Sequence, residues 1–523
     1  MRENQILLVN FHNFDKKCYE MEEALGLQYI ATYLESKEIH SEVCDTAIVT
    51  ISLENIVDKI VNQDYLIVAF SIYQTTYDYT KQVIAELLKR HYRGHIILGG
   101  YFVSLAYKEV LSEIGDYIDC IIFGEGEQAF YNYAKRIIKN EPWKDLKSVI
   151  YKENNKIIVN DKLELIYDLD TIPIPKREKM QFRKLAKIYS SRGCYGRCAF
   201  CSIYCFFGFD KKKWRSRSVE NIIEEIKYLL EEHGIKSLYF VDDNFMGLGK
   251  NGKERAYRLA ESIIENNIKV TYSVEFRVND ADYTVISKMK ESGLRKIFYG
   301  VESGVQKELD LLNKFTTTAQ NIEAIKMTYL AGIEPNIGFI MFTPYTSFDE
   351  ILENLEFLEG LIQYNCLSNS MIKSRLIIQP GFDIYERLKA ENRIIWDNTT
   401  YQYVYEFVDK KVELYYSILV SNYNTDIGGL NADLAQIKDE LFIWDLYDDK
   451  CYEYQCIRQL EREVFLIELD YAKEIARIVD ENQPEQIDTL NYTISQKVDT
   501  ALKLYNNLLK DGRFKKYMKK VPE

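Results

Sequence analysis

Three cysteines crowd the stretch Ser190-Ser191-Arg192-Gly193-Cys194-Tyr195-Gly196-Arg197-Cys198-Ala199-Phe200-Cys201. Their C-x3-C-x2-C spacing puts three soft thiolates on one short, glycine-bearing loop, which suits an iron–sulfur cubane. Three thiolates hold three of the four irons and leave the last to another ligand. An open metal position usually signals reactivity rather than scaffolding. A zinc site and three unrelated core thiols compete with this reading. Zinc sites usually present four ligands, often as two separated pairs, and no second pair follows at a suitable spacing. Cys205 extends the run by C-x3-C. A fourth thiolate would close the open corner, so Cys205 is read as a spectator thiol.

A loop of this kind needs a frame. Ile188 and Tyr189 lead into it as a strand end would, and from residue 186 to about 390 strand and helix patterns alternate regularly. Polar or glycine-rich residues recur after the strands: Asp242-Asp243-Asn244, Glu275-Phe276-Arg277, Gly300-Val301-Glu302-Ser303-Gly304, Thr343-Pro344-Tyr345-Thr346 and Gln379-Pro380-Gly381. In a β/α barrel those ends share one face, and that face carries the chemistry. Residues 1–140 alternate in the same way, which predicts a parallel, doubly wound, Rossmann-like sheet with ligands at its carboxyl ends. Ser71 follows the strand Tyr65–Phe70 there, and Gly99-Gly100 and Gly124-Glu125-Gly126-Glu127 follow others. Residues 141–185 read as a connector, with a hairpin around Glu153-Asn154-Asn155 and an extended, proline-bearing stretch at 168–175. Residues 393–523 read as a mostly helical domain with a basic tail at 515–520, expected to cap the barrel mouth.

The chain has 523 residues and a formal charge of −13, which argues against a nucleic-acid binder relying on overall positive charge. The apolar run Ile6–Val9 is too short for a signal peptide, and no run is long enough to cross a bilayer. A cytoplasmic protein is expected, in which ten cysteines stay mostly reduced.

The cysteine run and the strand-end residues resemble the radical S-adenosylmethionine (SAM) enzymes. The N-terminal pattern looks like the cobalamin-binding domain that precedes many of their cores. The resemblance implies an α/β architecture: cobalamin-binding-type domain, partial (β/α)6 TIM-barrel core at 186–392, and helical C-terminal domain. It implies a [4Fe-4S] cluster on Cys194, Cys198 and Cys201, SAM on the open iron, and cobalamin. It places Asp242, Asp243 and Asn244 near the methionyl amine of SAM, Arg277 near its carboxylate, Glu302 and Ser303 near ribose or carboxylate, and Phe200 and Ile340 beside adenine. For cobalamin it points to Ser71, Gly99, Gly100, Gly124 and Glu125. Small residues there let backbone approach a bulky nucleotide tail, and a hydroxyl can bond it.

The implied activity is methylation of an unactivated carbon in a small molecule or peptide, with electrons from a flavodoxin or ferredoxin. Some relatives instead rearrange or oxidise their substrate. Two departures are visible. The D-x-H-x-x-G signature of cobalamin domains is reduced to Asn10-Phe11-His12-Asn13-Phe14-Asp15, so His12 is read as an ordinary loop residue. Tyr345-Thr346 and Phe382 replace commoner residues of the family, so no catalytic carboxylate is assigned there. A transfer-RNA methylthiotransferase would need a second cluster, but Cys18, Cys44 and Cys120 lack its local motif. A non-catalytic iron–sulfur carrier would not need the strand-end motifs.

Overall fold

A computed structural model describes residues 6–12, 23–49, 51–160, 163–177, 184–207, 214–366, 371–422, 425–447 and 450–515. Asn13, Phe14, Asp15, Cys18 and the tail beyond residue 515 lie outside the described residues. The first unit runs β1 (Ile6–Asn10), α1 (Leu25–Glu35), β2 (Ser41–Asp45), α2 (Leu53–Gln63), β3 (Ile67–Ser71), α3 (Tyr77–Lys89), β4 (His95–Gly99), α4 (Tyr101–Leu105), α5 (Tyr107–Ile114), β5 (Cys120–Ile122) and α6 (Glu127–Ile138). Its strands lie in the order β2-β1-β3-β4-β5, all parallel. β1 is buried along its whole length, as a strand covered by helices on both faces must be. The strand order reverses at β1 and β3, and that switch point opens a crevice at the carboxyl ends. The hairpin expected around Asn154 forms as β6 (Val149–Glu153) and β7 (Lys156–Val159) and extends the sheet antiparallel.

The second unit runs β8 (Leu185–Ile188), β9 (Ser191–Arg192), α7 (Ile203–Phe206), β10 (Arg215–Ser216), α8 (Val219–His233), β11 (Ser237–Phe240), α9 (Gly249–Glu265), β12 (Thr271–Arg277), α10 (Tyr283–Glu291), β13 (Leu294–Glu302), α11 (Gln306–Leu311), α12 (Thr318–Leu330), β14 (Glu334–Phe339), α13 (Phe348–Leu361) and α14 (Asp383–Ala390). β8, β11, β12, β13 and β14 form one parallel sheet in that order. Before Gln379-Pro380-Gly381 the chain forms isolated bridges rather than a strand, Arg375 parallel to Phe342 and Ile378 antiparallel to Tyr403.

The remainder is a hairpin, β15 (Ile394–Asp397) and β16 (Gln402–Tyr405), then α15 (Lys410–Ser421), α16 (Thr425–Ile443), α17 (Tyr452–Asp480) and α18 (Ile487–Lys510). The hairpin reaches back to the first unit: the Tyr401 ring sits edge-on to Tyr77 at 4.9 Å, and the Tyr403 hydroxyl donates to Glu109. α16 meets the strand beginnings rather than the mouth. Thr271 donates to the Phe442 carbonyl at 3.2 Å, and Glu334, which opens β14, pairs with Lys438 at 2.9 Å and accepts from the Tyr454 hydroxyl at 2.6 Å. The expectation of a cap over the mouth is therefore corrected: α16 floors the barrel. Helical periodicity reveals an apolar stripe but not which end of a barrel receives it.

Candidate functional site

The cluster loop begins where β8 ends and turns at Gly193, whose φ of +81° favours glycine. The Gly196 amide donates to Cys194 Sγ at 3.3 Å, and one Arg277 nitrogen donates to Cys198 Sγ at 3.2 Å. A Cβ on Gly196 would lie 2.6 Å from that nitrogen, so glycine here admits the guanidinium. Burial pushes the Cys194 thiol up, and burial with the neighbouring Cys198 and Cys194 pushes Cys201 to about 12. Three crowded thiols are thus costly to ionise on their own. A cationic metal core would reverse that, so the donor set fits a cluster. Among the described residues no three His, Cys, Asp or Glu side chains converge on one ion. Around a cubane, thiolates on separate irons stand about a core instead. Cys205 turns elsewhere: its thiol donates to the Gly381 carbonyl at 3.2 Å, and burial with Asp383 pushes it to about 11.

Around this loop the mouth carries a connected patch. The second Arg277 nitrogen donates to the Lys314 carbonyl. Lys314 Nζ lies 2.8 Å from Glu302 Oε1 and 6.0 Å from the Phe200 ring centre. Glu302 itself sits at φ +70°. Lys314 escaped the sequence reading because it follows a helix rather than a strand. Asp243 accepts from the Gly193 amide at 2.8 Å, and burial pushes it to about 6.

Three expected SAM contacts are engaged elsewhere. Asp242 is buried and accepts from the Ser190 amide at 3.0 Å and the Ser190 hydroxyl at 2.7 Å. Asn244 is buried, with its amide nitrogen 3.3 Å from Asp280. The Ser303 hydroxyl bonds Glu308 at 2.6 Å. These residues hold strand ends in place. Ile340 packs against the barrel core and donates its amide to the Glu302 carbonyl at 2.7 Å.

Ser71, Gly99, Gly100 and Gly124 line one cavity of about 310 Å3 that opens to solvent. Gly100 has φ +96°, and a Cβ on it would meet the Ile72 backbone at 3.0 Å. The opposite wall is Ser191, Arg192, Val241 and Asp243, from the barrel. The small residues on the first unit's wall would leave backbone room for a corrinoid and its bulky nucleotide tail. Glu125 also borders the cavity, but its carboxylate is held by Arg215 at 2.6 Å and lies 3.3 Å from Arg192. Glu125 therefore also ties the glycine-rich turn to the barrel. His12 donates its backbone amide to Thr46 Oγ1 at 2.6 Å.

The fold and site define an α/β protein that sets a nucleotide-tail cradle against a three-thiol barrel mouth. Comparison with known proteins agrees. Residues 18–134 match the B12 binding domain, and residues 188–358 match the Radical SAM superfamily. The chain belongs to the radical SAM enzymes that carry a B12-binding domain. It is 29% identical over 346 residues to an uncharacterized methyltransferase of Pyrococcus horikoshii, covering 64% of this chain and 73% of that one. It is 26% identical over 332 residues to the 4′-phospho-dehydrooxetanocin synthase of Priestia megaterium, covering 55% of this chain and 44% of that one. The structure of the cobalamin-dependent S-adenosylmethionine radical enzyme OxsB superposes with a TM-score of 0.74 at 18% identity, covering 99% of this chain and 82% of that one. The radical S-adenosylmethionine methyltransferase TsrM from Kitasatospora setae gives 0.61 at 14% identity, covering 74% and 76%. These two likenesses are of fold.

Proposed function

We propose that this chain is a cobalamin-dependent radical SAM methyltransferase acting on an unactivated carbon of a small molecule. The observation that carries the reading is the shared cavity: its glycine wall belongs to the first unit, and its Arg192 and Asp243 wall adjoins the cysteine loop. Cys194, Cys198 and Cys201 would hold the cluster. Arg277, Glu302, Lys314, Asp243 and Phe200 would hold SAM, and Ser71, Gly99, Gly100 and Gly124 the cobalamin. Bound together, these groups supply reductive SAM cleavage and a transferable methyl group. The protein's part is positioning and exclusion of water. Arg277 donates toward a cluster sulfur, and the Phe206 and Phe207 rings, 5.1 Å apart, border the cavity.

Relatives named as methyltransferases, including the cytidylyl-2-hydroxyethylphosphonate methyltransferase of Streptomyces wedmorensis, support methyl transfer. A flavodoxin- or ferredoxin-like donor would supply electrons. Among the described residues no helix is long and apolar enough to cross a membrane, and a cytoplasmic location is part of the proposal. So is the division at about residues 140, 185 and 392. The test is anaerobic reconstitution with iron, sulfide and hydroxocobalamin. About four iron and about one corrinoid per chain are expected, with labelled methyl leaving SAM under reducing conditions. Failure to retain corrinoid would overturn the reading.

A further inference from the structure

α7 is a single helical turn, Ile203–Phe206, and it stands between two sites. Its first end follows Cys201, whose sulfur accepts a hydrogen bond from the Ile203 amide. Its last residue, Phe206, and the next, Phe207, border the cavity that Gly99 and Gly100 line. A proposed cluster ligand and a wall of the proposed corrinoid site are thus joined through one turn of helix.

The turn has little stability of its own. A first helical turn fixes several residues for few hydrogen bonds and is unfavourable in isolation. Here the Phe206 amide donates to the Ser202 carbonyl at 2.8 Å and the Phe207 amide to the Ile203 carbonyl at 3.1 Å. None of Ile203, Tyr204, Cys205 and Phe206 is buried, so core packing does not offset the ordering cost.

Contacts from outside hold it instead, and they come from both units. On the barrel side, the Cys205 thiol donates to the Gly381 carbonyl, and a Cβ on Gly381 would lie 2.8 Å from that sulfur. The Arg215 guanidinium, anchored on Glu125, lies 5.5 Å from the Phe207 ring centre. On the side of the first unit, the Tyr101 and Phe206 rings are 5.1 Å apart, 31° from parallel. A Cβ on Gly124 would lie 3.2 Å from the Phe206 carbonyl oxygen. Tyr101 opens α4 directly after Gly100. Burial, with Cys201, Asp243 and Cys205 close by, pushes its phenol up, as expected of a group at this junction.

We propose that α7 couples the two cofactor sites: metal ligation at Cys201 fixes the turn, and the fixed turn completes the corrinoid cavity. A ligated Cys201 orders the start of the turn before corrinoid arrives, as metal binding orders the chain around its ligands. A second ligand that meets an already ordered wall binds more tightly. With Cys201 unligated, corrinoid binding must itself order Phe206 and Phe207 and is weaker for it. Phe206 and Tyr101 are positioning residues in this scheme, because they carry the constraint from the cysteine loop to the glycine wall. The inference rests on reading the loop as the cluster site and the cavity as the corrinoid site.

The test compares the wild-type chain with its cluster in place and after anaerobic removal of iron by a chelator. Equilibrium dialysis against hydroxocobalamin measures the affinity of each form, with iron analysis and circular dichroism on the same samples. The cluster-loaded form is expected to bind about tenfold more tightly, a usual size for coupling between sites. Phe206→Ala and Tyr101→Ala should still assemble about four iron per chain but lose that ratio. Tyr101→Phe, which retains the ring, should keep it. Coupling acts in both directions, so bound hydroxocobalamin should also slow the loss of iron to the chelator, a measurement that serves even if the iron-free chain unfolds. Equal affinity in two folded wild-type forms, iron loss indifferent to corrinoid, or an unchanged ratio in both alanine variants would overturn the inference. If both forms bind corrinoid equally, only the coupling falls; if no cluster assembles or neither form retains corrinoid, the proposed function falls with it.

Discussion

Arg215 closes on Glu125 with both terminal nitrogens, at 2.6 and 3.0 Å, and both side chains are buried. The pair joins the glycine-rich turn of the first unit to the strand beside the cysteine loop. Arg192, just before that loop, reaches the same turn, 2.5 Å from Glu127. A second buried arginine, Arg177, repeats the arrangement between Glu23 at 2.7 Å and Glu225 at 2.9 Å. Two ion-paired seams therefore fix the distance between the cradle and the thiols.

Breaking the first seam should be costly. Burial would raise the Glu125 carboxyl, but Arg192 and Arg215 outweigh it and hold it below the ordinary range. Glu125→Gln leaves the buried Arg215 guanidinium without its carboxylate partner. A loss of about 3–5 kcal/mol is expected in denaturant unfolding, with weaker corrinoid retention. An unchanged unfolding midpoint would refute the anchor.

Two of the cradle glycines, Gly99 and Gly100, should separate folding from binding. A Cβ on Gly99 would find only the Ile122 and Phe70 carbonyls, at 3.7 and 4.0 Å, so the fold accommodates it. Gly99→Ala should keep the melting temperature and lose corrinoid affinity. Gly100→Ala places a side chain at a φ reserved for glycine and should lose both, with about 1–3 kcal/mol of stability. Spectroscopic titration with hydroxocobalamin and thermal unfolding read the two effects.

Single alanine variants of Cys194, Cys198 and Cys201 should lose the iron–sulfur absorbance and most of the iron. Cys205→Ala should retain both, since its thiol bonds Gly381 rather than the other cysteines. Iron analysis after anaerobic reconstitution checks this.

Arg277 should tune the cluster. Its guanidinium donates toward Cys198 Sγ, and hydrogen bonds to cluster sulfur and local charge set reduction potentials. Arg277→Gln should lower the potential and cut SAM cleavage by about tenfold or more. Redox titration followed by electron paramagnetic resonance measures the first effect directly.

The barrel floor should give an acid-sensitive term. Burial would raise Glu334, but Arg458, Lys438 and Lys296 pull it down to about 2, below the ordinary value of 4.5. A depressed carboxyl contributes stability that is whole above the unfolded value and fades as pH falls through the folded one. That contribution should be intact above about pH 4.5 and vanish toward about pH 2. Glu334→Gln should lower stability near neutrality and flatten the acid dependence, followed by circular dichroism.

The three-cysteine spacing and the Gly99-Gly100 pair were legible in the sequence because each is a short pattern within a single turn. The alternation of strands and helices revealed both sheets for the same reason. What escaped were facts between distant residues. Nothing local marks Glu125 as the partner of Arg215, ninety positions away. Lys314 shows its role only when β13 brings Glu302 beside it. Asp242 and Ser303 stand at strand ends, as chemistry-bearing residues do, yet both face inward to hold neighbouring backbone and side chains. The hairpin at Ile394–Tyr405 carries no turn motif strong enough to announce itself, and its seat against Tyr77 is a tertiary contact.

The most direct test of the central claim is the electron paramagnetic resonance spectrum of the reduced, reconstituted protein, recorded with and without SAM. A cluster with one iron free of protein ligands should shift its g-values when SAM binds, and the signal should require all three cysteines of the loop. A spectrum indifferent to SAM, or a cluster that survives the loss of Cys194, Cys198 and Cys201, would contradict the account.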